Sequence, residues 1–122
     1  MGTFYVGALI ANHTDRKRSA RMPKLLVDTG SEYTWLPEST LGKIGVQREK
    51  KDLSFIMANG TIVTRSVGFA IVHVDGYFTI DEVVFAEKGD LILLGARTLE
   101  GLNLTVDATK KKLVAAGPIP AA

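Results

Sequence analysis

Polar and apolar residues along the chain mostly alternate or form short apolar runs, and this pattern predicts strands rather than long helices. Strands are predicted at residues 3–11, 24–27, 33–36, 53–58, 62–74, 77–86, 91–94, 102–106 and 113–116. Short helical turns are predicted at residues 37–44 and 97–101. Many short strands separated by turns indicate an all-β domain, closer to a barrel or sandwich than to an alternating α/β fold.

Short polar segments between the strands predict the turns. Asn59-Gly60 and Asp75-Gly76 predict hairpin turns, because both residues of each pair tolerate positive φ angles. Residues 88–90, Lys-Gly-Asp, predict a further turn. These turns divide the chain into strands short enough for a small barrel.

The composition fits one domain, which we expect to span residues 1–122. Hydrophobic residues make up 46% of the chain and can fill a core, yet none of their runs is long enough to cross a membrane. Cysteine is absent, which excludes disulfides, thiolate metal sites and cysteine nucleophiles. The apolar start lacks a basic region and a cleavage site, so we interpret it as a strand and expect a cytoplasmic protein.

The positive charge is local. Residues 16–24, RKRSARMPK, carry five of the 15 basic residues and no acidic one. Pro23 and the polar run predict a solvated loop there. Because no aromatic residue is interleaved with these cations to stack on bases, no nucleic-acid partner is expected. His73 and Asp75 are too few for a metal site, and neither a metal nor another cofactor is expected.

The candidate chemistry lies in residues 24–37, KLLVDTGSEYTWLP. Asp28 follows an apolar run that resembles a buried strand, where a carboxylate is costly unless something uses it. Gly30 lets the chain turn sharply. The hydroxyls of Thr29 and Ser31, with Ser31 within reach of the carboxylate, can hold an ionised Asp28 in place. The simpler alternative is that Asp28 only caps a turn, since all four residue types favour turns.

Three elements in this order resemble the retropepsin-like branch of the aspartic proteases. The segment LLVDTGSEYTWLPES matches the signature of that family, with a Trp-Leu-Pro ending close to the pepsin-like form. Residues 93–95, Leu-Leu-Gly, match the element that crosses behind the catalytic loop. Residues 54–68 occupy the place of the flap, the hairpin that covers the substrate, with Asn59-Gly60 at its tip. The resemblance covers roughly residues 3–116.

The resemblance implies an all-β, closed-barrel acid protease fold with one or two short helices. It also implies an aspartic endopeptidase that hydrolyses extended peptides. The residues expected to act are catalytic Asp28, the loop residues Thr29, Gly30 and Ser31, and the substrate-binding flap residues Met57, Ala58, Asn59, Gly60 and Thr61.

The chemistry of aspartic proteases needs two carboxylates that share a proton, and their dyad is the standard example of such a pair. This chain has one Asp-Thr-Gly. The second carboxylate must therefore come from another copy, in a C2 homodimer with Asp28 on each side of the axis. In the family the threonine bonds across to the partner's loop, a role that falls to Thr29. The alternative is a catalytically silent retropepsin-like module that dimerises or binds peptides.

The sequence departs from the family pattern in three places. The insertion around residues 16–24 is longer than in compact viral relatives. The flap lacks the tyrosine that pepsin-like enzymes place near the tip, although Trp35 is expected to support the base of the flap or to be buried in the core. The Pro-rich tail does not resemble the terminal strand that ties viral dimers together, and residues 113–116 are the alternative for that strand.

Overall fold

The computed structural model describes residues 3–121, which form short strands and two short helices. The helices are α1 (Glu38–Lys43) and α2 (Ala96–Leu102). The strands are β1 (Tyr5–Asn12), β2 (Ser19–Val27), β3 (Thr34–Pro37), β4 (Lys50–Ile56), β5 (Ile62–Val74), β6 (Tyr77–Ala86), β7 (Leu93–Leu94), β8 (Leu104–Asp107) and β9 (Lys112–Ala115).

The main sheet curls back on itself. Its order is β1-β2-β7-β3-β6-β5-β4, and β1 also pairs with β5. Strands β1, β2, β7, β3, β6 and β5 therefore form a ring, and β4 pairs with the first half of β5, before the part that pairs with β1. β2 pairs with β7 in parallel and β3 pairs with β6 in parallel, while β1–β2 and β5–β6 are antiparallel. This arrangement confirms the predicted all-β, retropepsin-like barrel.

Alternate strand residues fill the barrel. On β1, Ala8 and Ile10 are buried in the core, whereas Tyr5 points outward and is about half exposed. The interior cluster also contains Leu25, Leu36, Leu41, Val72, Val83, Phe85, Leu94 and Leu99. Cluster residues of β2, β3 and β7 meet there because the ring brings these strands together. Their packing fixes the end of β2, and Asp28 is the next residue of the chain.

The predicted basic loop is wrong in its second part, residues 19–24. The loop was expected over residues 16–24, but β2 begins at Ser19 and continues through Pro23. The register between β1 and β2 shifts between Val6 and Ala8, which marks a β-bulge. Pro23 lies in this bulge, where a residue without an N–H group does not break the ladder of hydrogen bonds.

The two predicted hairpin turns form, but they differ in type. Asp75 and Gly76 both adopt left-handed backbone angles, with φ of 51° and 82°, as a two-residue hairpin requires. In the other hairpin the amide of Met57 donates to the carbonyl of Thr61 at 2.8 Å, and a left-handed φ of 84° is found at Gly60. This geometry is a three-residue loop that needs one glycine, so positive φ at Asn59 was not required.

The C-terminal part forms a separate two-stranded sheet. β9 pairs with β8 of the same chain, from Leu104 opposite Ala115 to Asp107 opposite Lys112. The segment considered as a dimer-forming strand thus has an intramolecular partner on one side. Neither α1 nor α2, the helices found within residues 3–121, has the length and apolar character needed to cross a membrane.

Candidate active site

Asp28 is held at the end of β2 by three backbone interactions. Its amide donates to the carbonyl of Leu94 on the neighbouring strand β7 at 3.0 Å. Its carbonyl accepts from the amide of Ser31 at 3.2 Å, which closes a tight turn. One carboxylate oxygen, Oδ1, accepts from the amide of Gly30 at 2.9 Å. The loop therefore fixes both the backbone and the carboxylate of Asp28, which is partly exposed.

Gly30 is needed because the loop is tight. A Cβ atom added there would lie 3.1 Å from Oδ1 of Asp28, closer than most such contacts allow. Ser31 has a different role from the expected one. Its hydroxyl donates to the carbonyl of Tyr33 at 3.0 Å and so stabilises the loop's own backbone rather than contacting the carboxylate. The hydrogen bond to the Asp28 carboxylate comes from a backbone amide.

The Leu-Leu-Gly element passes directly against the loop that follows Asp28. A Cβ atom on Gly95 would lie 2.3 Å from the carbonyl oxygen of Tyr33, so only glycine fits at this crossing. Just beyond it, the amide of Ala96 donates to Ser31 O at 2.7 Å and the amide of Arg97 donates to Glu32 O at 3.0 Å. The start of α2 thus satisfies the carbonyl groups of the loop that follows Asp28.

A buried chain of hydroxyl groups connects this crossing to the barrel. The amide of Gly95 donates to the hydroxyl of Thr34 at 3.0 Å, and Thr34 is hydrogen-bonded to the hydroxyl of Thr98. Thr98 donates to Oδ2 of Asp81 at 2.9 Å. Both threonines are fully buried, so each hydroxyl needs its partners. Sequence analysis missed this network, and no local motif indicated it.

A groove of about 600 Å³ opens beside Asp28 under the β4–β5 hairpin. The hairpin supplies one wall and the catalytic loop supplies the other. The groove is lined by Asp28, Gly30, Ser31, Glu32, Tyr33, Trp35, Leu53, Ser54, Phe55, Ile56, Met57 and Ala58. Most of its surface is apolar, as in clefts that bind extended apolar ligands.

The structure brings together some of the predicted site residues and separates others. Asp28, Gly30 and Ser31 share the groove with the flap residues Met57 and Ala58. The three residues at the hairpin tip, Asn59, Gly60 and Thr61, are exposed and lie beyond the groove lining.

Thr29 does not line the groove. It is exposed, and it borders two smaller hollows of about 210 Å³ each. Their apolar lining includes Phe4, Leu26, Val27, Leu99, Leu104 and Val106. Asp28 borders both the groove and one of these hollows, whereas Thr29 borders the two hollows.

Aromatic contacts hold the hairpin to the barrel. The ring of Phe55, on β4, meets the rings of Trp35 and Tyr33 edge-on, with centroid distances of 5.2 and 5.4 Å. Trp35 is 6% exposed and contacts Phe55, so it is both a core residue and a support for the base of the β4–β5 hairpin. Sequence analysis named Trp35 but not its two partners, because these contacts join residues far apart in the chain.

Arg97 braces the outer side of this aromatic group. Its guanidinium lies 4.7 Å from the centroid of the Tyr33 ring. Burial alone would lower the pKa of Arg97, but Tyr33, Asp81 and Glu82 raise it, so the side chain stays a cation. A fixed cation on the ring face stabilises the position of Tyr33.

The family comparison agrees with this geometry. Residues 19–101 match the family described as "gag-polyprotein putative aspartyl protease". The match spans more than half of the chain, so the chain belongs to this family of retropepsin-like aspartic proteases. No curated protein matches the chain.

Proposed function

We propose that this chain is an aspartic endopeptidase whose active unit is a homodimer. The observation that carries the proposal is the position of Asp28. Its carboxylate is held by the amide of Gly30 and borders the groove covered by the β4–β5 hairpin. A carboxylate fixed beside a covered apolar groove is suited to act on a bound peptide.

The reaction needs the Asp28 carboxylates of two copies. One carboxylate accepts a proton from a water molecule, whose oxygen attacks the peptide carbonyl carbon, while the other donates its proton to the carbonyl oxygen. Collapse of the tetrahedral intermediate breaks the C–N bond, and a proton passes to the leaving nitrogen. The net reaction adds one water molecule across one peptide bond.

The surface around Thr29 supports association through this face. Thr29 is exposed between two hollows whose lining includes the half-buried apolar side chains of Phe4, Leu26 and Val106. A second copy related by a two-fold axis at Asp28 would cover this surface and place the two threonines near each other. We propose that residues 1–122 act as one lobe of such a dimer.

The proposed substrate is an extended peptide bound between the hairpin and the catalytic loop. In this arrangement backbone hydrogen bonds supply affinity and side-chain pockets supply preference. Leu53, Phe55 and Met57 make the hairpin wall apolar. We therefore expect the residues next to the cleaved bond to be apolar and bulky.

A concentration series with a matched pair of variants tests the proposal. We expect Asp28→Asn to abolish cleavage of a mixed peptide library, whereas Asp75→Asn, on an exposed turn, retains it. We also expect activity per chain to rise with protein concentration in parallel with dimer formation in sedimentation velocity. Cleavage by the Asp28→Asn variant would contradict the proposal. A dimer that binds peptides without cleaving them would favour the silent module.

A further inference from the structure

The outer face of β1, β2, β5 and β6 carries cations next to exposed rings. On β1, Tyr5 and Leu9 lie on the side of the strand opposite Ala8 and Ile10, which fill the barrel. Leu9 is paired with Arg21 on β2 and with His73 on β5. His73 is paired in turn with Phe78 on β6. We call this surface, defined by Tyr5, Leu9, Arg16, Arg21, Lys24, His73, Phe78 and Ile80, the cation–ring face.

Two cation–ring contacts mark the ends of this face. Nζ of Lys24 lies 4.7 Å from the centroid of the Tyr5 ring. At the other end, the guanidinium of Arg16 lies 5.8 Å from the centroid of Phe78, and the His73 ring lies 5.6 Å from it. The cations of the basic segment are therefore positioned against aromatic side chains.

The rings remain available to a partner. Tyr5 is 51% exposed and Phe78 is 54% exposed, whereas other aromatic residues of the chain are buried in the core. Ile80, next to Phe78 on the same side of β6, is 50% exposed. Exposed apolar side chains grouped on one face indicate an interaction surface.

The fold places aromatic rings beside the basic segment, whose own sequence has none. Residues 16–24 contain no aromatic residue, which argued against nucleic-acid binding. The sheet places Phe78 beside Arg16, although the two residues are 62 positions apart in the chain, and it places Tyr5 beside Lys24. Rings on a sheet face with cations around them form the arrangement that stacks bases and neutralises phosphates.

The charge of the face is predominantly positive. Residues 16–24 contribute Arg16, Arg21 and Lys24 to the face and contain no acid, whereas Arg18 donates to the carbonyl of Lys43 instead. Glu82, on the same side of β6 as Ile80, forms an ion pair with Lys50 at 3.1 Å. The Oδ1 atom of Asp15 accepts from the amide of Lys17 within the turn. The cations of the segment thus outnumber the acids near it.

We propose that the cation–ring face binds single-stranded nucleic acid. Arg16, Arg21 and Lys24 contact phosphates, and bases stack on Tyr5 and Phe78. Along β1, Tyr5 and Leu9 are roughly 13 Å apart, and β6 lies roughly 10 Å across the sheet, so one short strand reaches both rings. An acidic protein segment would pair with the same cations but would offer no planar bases to the rings. This activity is separate from peptide hydrolysis.

Fluorescence anisotropy with a labelled oligouridylate, over a series of KCl concentrations, tests the proposal. We expect Phe78→Ala to weaken binding roughly fivefold or more, since it removes one stacking platform. Arg21→Ala should lower the slope of log affinity against log salt by about 0.7, as expected for one lost phosphate contact on a single strand. The matched controls Leu91→Ala and Lys110→Ala, both exposed elsewhere, should bind like the parent chain.

Further arms separate stacking from charge alone. Phe78→Leu keeps an apolar side chain without the ring. This variant should fold normally but bind the oligouridylate more weakly than the parent chain does. Both Phe78 variants should retain peptide cleavage. The proposal is overturned if the oligouridylate does not bind, if Phe78→Leu binds like the parent chain, or if a labelled polyglutamate peptide binds as tightly. Equal affinity for a duplex of the same length would also overturn it.

Discussion

The amide of Asp28 donates to the carbonyl of Leu94 at 3.0 Å, and this bond joins the catalytic loop to β7. The next residue, Gly95, then passes against the carbonyl of Tyr33, which belongs to the same loop. The position of Asp28 therefore depends on a crossing of two segments that are far apart in sequence. Changes at this crossing should affect both stability and activity.

Replacing Gly95 with alanine should disrupt the crossing. The added Cβ would lie 2.3 Å from Tyr33 O, so the backbone must move. We expect Gly95→Ala to lower the free energy of unfolding by about 1–3 kcal/mol, because backbone atoms cannot yield as a flexible side chain does. Peptide cleavage should fall with it. Urea unfolding monitored by Trp35 fluorescence measures the change.

Gly42, in α1, is the matched control for that variant. A Cβ atom there would have no neighbour within 4 Å. Alanine is the better helix former, so Gly42→Ala should raise the free energy of unfolding by about 0.5–1 kcal/mol. Equal unfolding midpoints for Gly95→Ala and the parent chain would show that the crossing is looser than the structure indicates.

The hydroxyl of Thr34 should stabilise the same crossing from inside the barrel. Valine has nearly the same shape but would leave the buried amide of Gly95 and the hydroxyl of Thr98 without this partner. We expect Thr34→Val to cost about 1–3 kcal/mol of unfolding free energy. Thr64→Val, at an exposed position of β5, should change it by less than about 0.5 kcal/mol. Equal effects of the two variants in urea unfolding would contradict this role.

Local patterns were sufficient for much of the fold. The bounds of β5 and β6 follow the predicted ranges, because alternating side chains are flanked by turn residues with the required backbone freedom. The Asp-Thr-Gly-Ser signature placed Asp28 at the end of a buried strand, where the structure has it. The two short helices were also predicted, and each of their ends differs from the predicted one by one residue.

Features that depend on pairing between distant segments were not predictable. The strand through Pro23 forms because β1 provides a partner and a bulge absorbs the missing N–H group. The hydrogen bond between Thr34 and Thr98 joins residues 64 positions apart, and neither residue is unusual in its local sequence. The contact between Phe55 and Trp35 likewise requires the hairpin to fold onto the barrel.

The ion pair between Arg65 and Asp90 should make the stability of the chain depend on pH. Arg65, on β5, donates to both carboxylate oxygens of Asp90 at 2.7 and 2.9 Å. These bonds from Arg65, with a further one from the amide of Glu87, hold the pKa of Asp90 below its ordinary value of 3.8, although burial opposes the shift. The carboxylate therefore stabilises the folded chain above pH 3.8, and that contribution is lost as the pH falls through the lowered pKa.

Asp90→Asn tests that dependence. At neutral pH we expect the variant to lose about 1–3 kcal/mol of unfolding free energy, since it removes hydrogen bonds between charged groups. The difference from the parent chain should shrink as the pH is lowered through the acid range, because the parent then loses the same charge. Asp75→Asn, on an exposed turn, is the control and should keep the parent's pH profile. A constant difference at every pH would argue against the ion pair.

The ring of Phe55 should hold the hairpin over the groove. Its edge-on contacts with Trp35 and Tyr33 are each worth roughly 0.5–1.5 kcal/mol beyond simple burial. We expect Phe55→Ala to increase hydrogen exchange at residues 57–61, because the hairpin opens more often when its contact with the barrel is lost. Ile56→Ala is the matched control, since Ile56 is the next residue on β4 and is 77% exposed. If both variants exchange at the parent's rate, the hairpin is held by its backbone pairing with β5 and not by the aromatic contacts.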